Sequence, residues 1–238
     1  MHTFRRAGSP ERWLPSSLMS RPDVSLLDGL GTTRAIRRYT PEPIPDTDLA
    51  EILWYAARAP SGTNRQPFRF ITLRREDDEA ALARGLLARA FRQSWELKRA
   101  DLDSGGPPAE GSPRARMQAT MQHYVDHLDE VPVIVLVGLE RYRSANPYEG
   151  ASVYPACQNL LLAARALGYG GTLTGWHHAV EAELRQLLDL PEHVALSACI
   201  TLGVPAGHHG PLRRRSLSQL VHDGRWDRPA TWLGERGE

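Results

Sequence analysis

Two arginine-rich runs stand near opposite ends of this 238-residue chain, TTRAIRRY at 32–39 and LRRRSL at 212–217. Guanidinium groups stay charged at any relevant pH and present forked donors that match phosphate oxygens, so either run could hold an anion. Charge runs are also the ordinary mark of a solvated face, and charge alone does not separate the two readings. A glycine-rich stretch, GGTLTGW at 170–176, could bring backbone N–H groups close to something flat or anionic. The stretch APSGTNRQPFRF at 59–70 packs Pro60, Ser61, Gly62, Thr63, Asn64 and Gln66 between a helical pattern and a strand pattern. Such residues form turns, but one turn does not need so many neutral hydrogen-bonding groups. What the surplus serves is not fixed by the turn itself.

The histidines are weaker markers. His177 and His178 follow the glycine-rich stretch directly, which makes His177 a candidate proton donor at the mouth of a site. Surface histidines after a turn fit the same spacing. His123 and His127 stand at i, i+4, a spacing that can bind metal, without a third ligand in view; an exposed polar face accounts for them as well. His208 and His209, in a Gly-flanked loop, read as solvated.

The elements that must position these groups follow from periodicity. A first helix is expected from Ser25 toward Thr33, then an extended TPEPIPD segment, because proline fixes φ and biases the preceding residue away from helix. Asp46 or Asp48 should cap a helix ending near Ala59, with Asp48 and Glu51 in capping-box spacing. Phe68 to Leu73 reads as a strand and Asp78 to Asp103 as a long helix. SGGPPAEGSP breaks that helix before another from about Arg114 to Leu128, with Met117, Met121, Tyr124 and Leu128 on one face. PVIVLVGL and VALSACITLGV are apolar throughout and read as strands buried on both faces. Between them come a helix over 153–167 closed by GYGG, a short TLTG segment, and a helix from about Val180 to Leu190. Strands separated by helices imply an α/β or α+β layered domain.

Composition is that of a soluble globular protein. A net charge of +1 gives no global field that would suggest nucleic acid or a membrane surface. The two cysteines, Cys157 and Cys199, sit in apolar runs and read as buried thiols, and no run reaches bilayer-spanning length. A reduced, cytoplasmic protein is expected. Residues 1–24 carry prolines, Arg and Ser without helical periodicity or a secretory h-region, and read as a flexible arm, or as upstream sequence if Met19 is the start.

Taken in order, RAIRRYTPEPIP, APSGTNRQPFRF, QNLLLAARALGYGGTLTGW and RRRSLSQLVHDGRW resemble the FMN-dependent nitroreductase family over about Ser25 to Arg228. The resemblance implies an α+β sandwich, with a mixed, mainly antiparallel central sheet between helices, in a homodimer with FMN at its interface. It implies one FMN-binding domain over 25–228, a variable segment at about 101–124 that could act as a lid, and a tail at 229–238.

Carried over residue by residue, Arg34, Arg213 and Arg215 match positions that hold the FMN phosphate, and Arg37 the cation near flavin N1 and O2. Pro60, Ser61, Gly62 and Asn64 match a loop that reaches the flavin of the partner subunit. Leu173, Thr174 and Gly175 match backbone contacts near N5 and O4. Thr33 and Ala35 depart from the pattern, standing where an arginine and a serine are common, which implies looser phosphate and ribityl contacts. The implied activity is ping-pong electron transfer from NADH or NADPH, bound transiently, to a nitro compound, quinone or similar acceptor, with no protein nucleophile. Dehalogenation, flavin fragmentation and non-catalytic FMN binding or sensing remain as alternatives. No GxGxxG fingerprint appears for the nicotinamide.

Overall fold

The computed structural model describes residues 23–233. The expected N-terminal arm, including Met19, lies outside the described residues except for Asp23 and Val24, as do tail residues 234–238. The chain runs through α1 (Leu26–Thr32), α2 (Asp46–Ala56), β1 (Phe68–Arg74), α3 (Ala81–Asp103), α4 (Pro113–Asp126), β2 (Val133–Glu140), α5 (Tyr154–Ala166), β3 (Gly170–Thr174), α6 (Glu181–Leu187) and β4 (Val194–Gly203).

The sheet has the order β1-β2-β4-β3. All three pairings are antiparallel, so the parallel component of the expected mixed sheet does not occur among the described residues. The two wholly apolar runs are the central strands. Their alternation divides the core: Val133, Val135 and Val137 face α2 and α5 through Leu49, Ile52, Cys157 and Leu160. Ile134 and Leu136 face the opposite layer, meeting Leu87, Phe91, Leu128 and Leu184 of α3, α6 and the turn after α4. A bulge between Val137 and Gly138 pairs them with Ala198 and Leu196, skipping Ser197. The extra residue puts Leu196 and Cys199 on one face despite their odd spacing. Helices thus cover both faces of the sheet.

Ser25 caps α1 by accepting from the Asp28 N–H, and Ser112 caps α4 by accepting from the Ala115 N–H. The expected aspartate cap of α2 is not made: the helix begins at Asp46 directly after Pro45, and Asp48 turns inward to accept the Tyr169 hydroxyl at 2.6 Å. Burial against α5 takes the carboxylate that the sequence pattern assigns to a cap. This helix stops at Ala56 and α6 spans only Glu181–Leu187, both shorter than periodicity implied.

Residues 101–124 belong to a helical hairpin of α3 and α4. Arg114 ties its connection, donating to Asp103 Oδ1 at 2.8 Å and to the Gly106 carbonyl at 2.7 Å, while Gln118 also bonds Asp103. The buried Arg84 bolts the hairpin to the sheet through the carbonyls of Leu73, Asp129 and Val131.

Candidate functional site

The first arginine run is held as an extended segment beside β3. The Ile36 N–H donates to the Gly171 carbonyl at 3.0 Å, Thr40 N–H to Val204, and Ala206 N–H to Arg38. Glycine is required where this segment lies on the sheet. A Cβ on Gly170 would stand 2.5 Å from Ile36, one on Gly171 2.6 Å from the Thr201 carbonyl, and one on Gly203 2.8 Å from the Tyr39 ring. Gly170 and Gly171 therefore serve close packing, whereas the sequence suggested that they open the backbone to a ligand. Below the segment, the Tyr39 hydroxyl donates to the Ile36 carbonyl at 2.6 Å, and both Tyr39 and Tyr124 reach the Thr201 hydroxyl at 2.8 and 2.9 Å. Burial pushes both phenols up, so they act as neutral struts.

This framework forms a cleft. A cavity of about 660 Å³ brings Arg37 together with Leu173 and Thr174 of β3, and is walled by Trp95, Met117, Met121 and Trp176. A second cavity of about 370 Å³ holds Arg34, Ala35, Arg37 and Arg38. Arg37 and Thr120 line both, so the two spaces adjoin. Among the described residues no carboxylate lines either one. Leu173 is 40% exposed on an edge strand. Because the Gly171 carbonyl faces away from β4 to meet Ile36, strand alternation points the N–H and C=O of Leu173 to the same open side. A buried Thr33 hydroxyl has no hydrogen-bond partner in the structure, an acceptor-seeking group beside Arg34.

Cations at one end, a backbone edge at the other and apolar walls between them suit a planar, phosphate-bearing cofactor. The expected contacts of Arg34, Arg37, Leu173 and Thr174 are brought together here; Thr33 and Ala35 flank the same segment. Gly175 follows as the residue where β3 turns into a short helix over Trp176–Val180.

Arg213 and Arg215 are not brought into this cleft. The tail returns beside the first arginine run, with Gly210 N–H on the Thr32 carbonyl and the Arg34 guanidinium on the His208 carbonyl at 2.8 Å. Beyond it the two arginines are exposed and line neither cavity. His177 departs from its expected role too. Its ring is wholly buried and lines neither cavity. Desolvation lowers it to about 4, so it is neutral at pH 7 and sits away from the mouth. His123 and His127 stack at 4.1 Å. The thiols of Cys157 and Cys199 are buried and pushed up to about 12.

The Pro60–Asn64 loop lies elsewhere. It precedes β1, and β1 and β3 are opposite edges of the sheet, roughly 14 Å apart at the ordinary strand spacing. Ser61 Oγ accepts from the Gln66 N–H at 2.9 Å, and Gly62 N–H donates to Ser152 Oγ at 3.2 Å. Thr63, Asn64 and Gln66 all adopt positive φ, a left-handed backbone that costs energy for non-glycine residues. Close by, Arg65 stacks 4.0 Å over the Tyr142 ring. Within one chain the loop cannot join the Arg34–Leu173 cleft.

Comparison with known proteins completes the picture. The nitroreductase family model matches residues 30–204. The chain belongs to the nitroreductase family. An NADH dehydrogenase of Thermus thermophilus is 30% identical over 205 residues, spanning 79% of this chain and 90% of that one. A 5,6-dimethylbenzimidazole synthase of Rhodospirillum rubrum is 28% identical over 201 residues, 79% of this chain and 87% of its own. Among solved structures, a nitroreductase from Desulfovibrio desulfuricans in complex with FMN superposes with a TM-score of 0.64 at 28% identity, covering 86% of this chain and 99% of that one. For a nitroreductase-family chain, the sequence pointed to the Arg34–Arg37 floor of the cleft, and the resemblance marked about 101–124 as a candidate lid without naming wall residues within it. Lys98 and Arg116 also line the cleft, exposed on α3 and α4. The methionine stripe on α4 lies in that segment, although periodicity equally assigns it to core.

Proposed function

We propose that this protein is an FMN-dependent oxidoreductase that works as a homodimer in the cytoplasm. The carrying observation is the pair of adjoining cavities, without a carboxylate among their described lining residues, that share Arg37 and place Arg34 on one side of it and the open edge of β3 on the other. The chemistry that bound FMN supplies is two-electron transfer from NADH or NADPH to an electrophilic acceptor such as a nitro compound or quinone, in ping-pong order. The chain's own residues bind and orient. Arg34, aided by the neighbouring Thr33 hydroxyl, would hold the phosphate, while Arg213 and Arg215, outside this cleft in one chain, are assigned to it only by the family resemblance. Arg37 would set a positive potential at the pyrimidine end of the ring, favouring the reduced anionic form. Leu173, Thr174 and Gly175 would present backbone groups along the ring edge. Apolar walls from Trp95 and Trp176 would exclude water.

The Pro60, Ser61, Gly62 and Asn64 loop would serve the other subunit's cleft, since it cannot reach its own. The reduced compartment is supported by the two free, buried cysteines, and no helix among the described residues is long and apolar enough to cross a membrane. A second reading is same-fold flavin chemistry: flavin fragmentation, favoured by the 28% identity to the dimethylbenzimidazole synthase, or dehalogenation, for which a 22% identical iodotyrosine deiodinase of Danio rerio is the related protein.

Purified protein should carry FMN, identified by extraction and chromatography, and anaerobic stopped-flow mixing with each nicotinamide should bleach its absorbance. Bound FMN that neither nicotinamide bleaches would refute electron transfer and favour a binding or sensing role. Aerobic product analysis separates the second reading: a fragmented flavin or a released halide in place of a reduced acceptor would establish it.

A further inference from the structure

The cleft holds more positive charge than one cofactor phosphate needs, and holds it at two ends. Arg34 and Arg38 line the smaller cavity, while Lys98 and Arg116 line the larger one, on the α3–α4 hairpin. Neither Lys98 nor Arg116 has an ion-pair partner among the described residues; Arg116 donates only to the Gly111 carbonyl. Asp103, a carboxylate of the same hairpin, is already engaged by Arg114 and Gln118. Between these cations and β3 the walls are apolar and of two kinds. Trp95 is rigid, its indole N–H on Gln122 Oε1 at 2.9 Å, and Trp176 packs edge-on against Phe91 with ring centres 5.5 Å apart. Met117 and Met121 are soft and adaptable. Such walls accept flat rings of varied outline, so shape selects weakly and charge must select.

We infer that Lys98 and Arg116 make the hairpin an anion-selecting wall, and that the acceptor is an aromatic compound bearing a negatively charged group such as a carboxylate or sulfonate. Its ring lies between the tryptophans and the methionines, and its anionic group sits at the hairpin end. This inference rests on the proposed flavin site, and its test does not require turnover. Both side chains are exposed on helices, so replacing them leaves the core packing intact.

Trp95 and Trp176 are intrinsic reporters. Quenching of their fluorescence in the flavin-loaded dimer should be titrated with 4-nitrobenzoate, with its uncharged near-isostere 4-nitrobenzamide, and with NAD+. The wild type should bind the carboxylate about tenfold more tightly than the amide at low salt, two exposed charge contacts together. The preference should shrink in concentrated salt. In the Lys98→Met, Arg116→Met double variant the ratio should fall to near one while flavin content holds. Equal affinity for the two probes in the wild type would overturn the inference. So would a double variant that loses flavin, since the cations would then hold the cofactor phosphate. A variant weakened only toward NAD+ would assign them to the donor's diphosphate and also overturn it. If apoprotein that has never bound flavin shows the full preference, the flavin reading has failed and the anion wall has not.

Discussion

The two edges of the sheet have opposite characters. At the β3 edge the surface is concave and held by packing: glycines let Ile36 and Tyr39 lie flat on the strands, hydroxyls of Tyr39, Tyr124 and Thr201 interlock, and the cleft forms as a by-product of that packing. At the β1 edge the loop is exposed and strained, with Thr63, Asn64 and Gln66 in the left-handed region. Its side chains bond mostly within the loop, Thr63 to the Gly62 carbonyl and Gln66 to Asn64, and Ser152 Oγ accepts from the Gly62 N–H. The cleft wall built by packing forms within one chain. The strained projection is the part that, on the proposed reading, meets the partner subunit.

The largest test of that contrast substitutes one glycine at each edge. Gly171→Ala drives a Cβ to 2.6 Å from the Thr201 backbone carbonyl, which cannot swing away. It should cost about 3 kcal/mol, the upper range of overpacking, read by urea unfolding. At Gly62 the nearest atom to an added Cβ is Ser152 Oγ at 3.7 Å, an ordinary contact. Gly62→Ala should stay within about 0.5 kcal/mol of the parent. Equal losses at the two positions would erase the distinction.

A somewhat smaller effect separates the edges by subunit. Arg34→Ala with Arg37→Ala should weaken flavin retention on the order of tenfold to a hundredfold, since each removed charge-assisted contact is worth roughly 1.5–3 kcal/mol before solvent screening. Ser61→Ala with Asn64→Ala should lose flavin as well. Heterodimers refolded from the two double variants would have one site with both faults and one with neither, a consequence of two-fold symmetry. Flavin recovered at about half a site per chain supports a site shared between subunits. Its absence from a verified, folded heterodimer would put the loop over its own chain's cofactor.

Much of this was legible in the sequence, and the failures have physical causes. The apolar runs at β2 and β4 could be read as central strands because burial on both faces leaves no polar alternation. The Arg34–Arg37 segment was assigned through the family resemblance, because charge alone left a solvated face equally open. His177 could not, because one residue decides whether a side chain after a turn points to solvent or into the core. Asp48 had the spacing of a cap, but the Tyr169 hydroxyl, 121 residues away, claimed it. The hairpin wall was hidden because Lys98 and Arg116 acquire meaning only when α3 and α4 are set side by side.

His177 also supplies a pH test of the packed edge. Its pKa falls from the usual 6.5 to about 4 on burial, so the unfolded chain binds a proton that the folded chain refuses. Its contribution is complete above pH 6.5 and is lost as pH falls toward 4. Between pH 7 and pH 5 this one group should remove about 2 kcal/mol of stability. His177→Leu should flatten that part of the profile in thermal melts across the range. A slope identical to the parent's would show that the ring titrates normally, and hence that it is not sealed beneath β3.

The smallest effect sharpens the strained edge. Thr63 is β-branched and sits at φ 51°, ψ 27°, where its side chain crowds the following carbonyl. Thr63→Gly removes that clash, worth up to about 2 kcal/mol, but adds backbone freedom to the unfolded chain worth about 1 kcal/mol. It also deletes an exposed hydroxyl contact to the Gly62 carbonyl at 2.7 Å. The net expectation is a gain of about 1 kcal/mol in unfolding free energy at fixed protein concentration. Function should move the other way. A relaxed loop no longer holds Ser61 and Asn64 in one geometry, so flavin affinity should fall severalfold as ordering is charged to binding. Stability and flavin retention measured on the same preparation decide the matter. If both rise together, the strain is incidental and the loop's conformation is not held for a ligand; if stability falls, Thr63 is at ease where it stands.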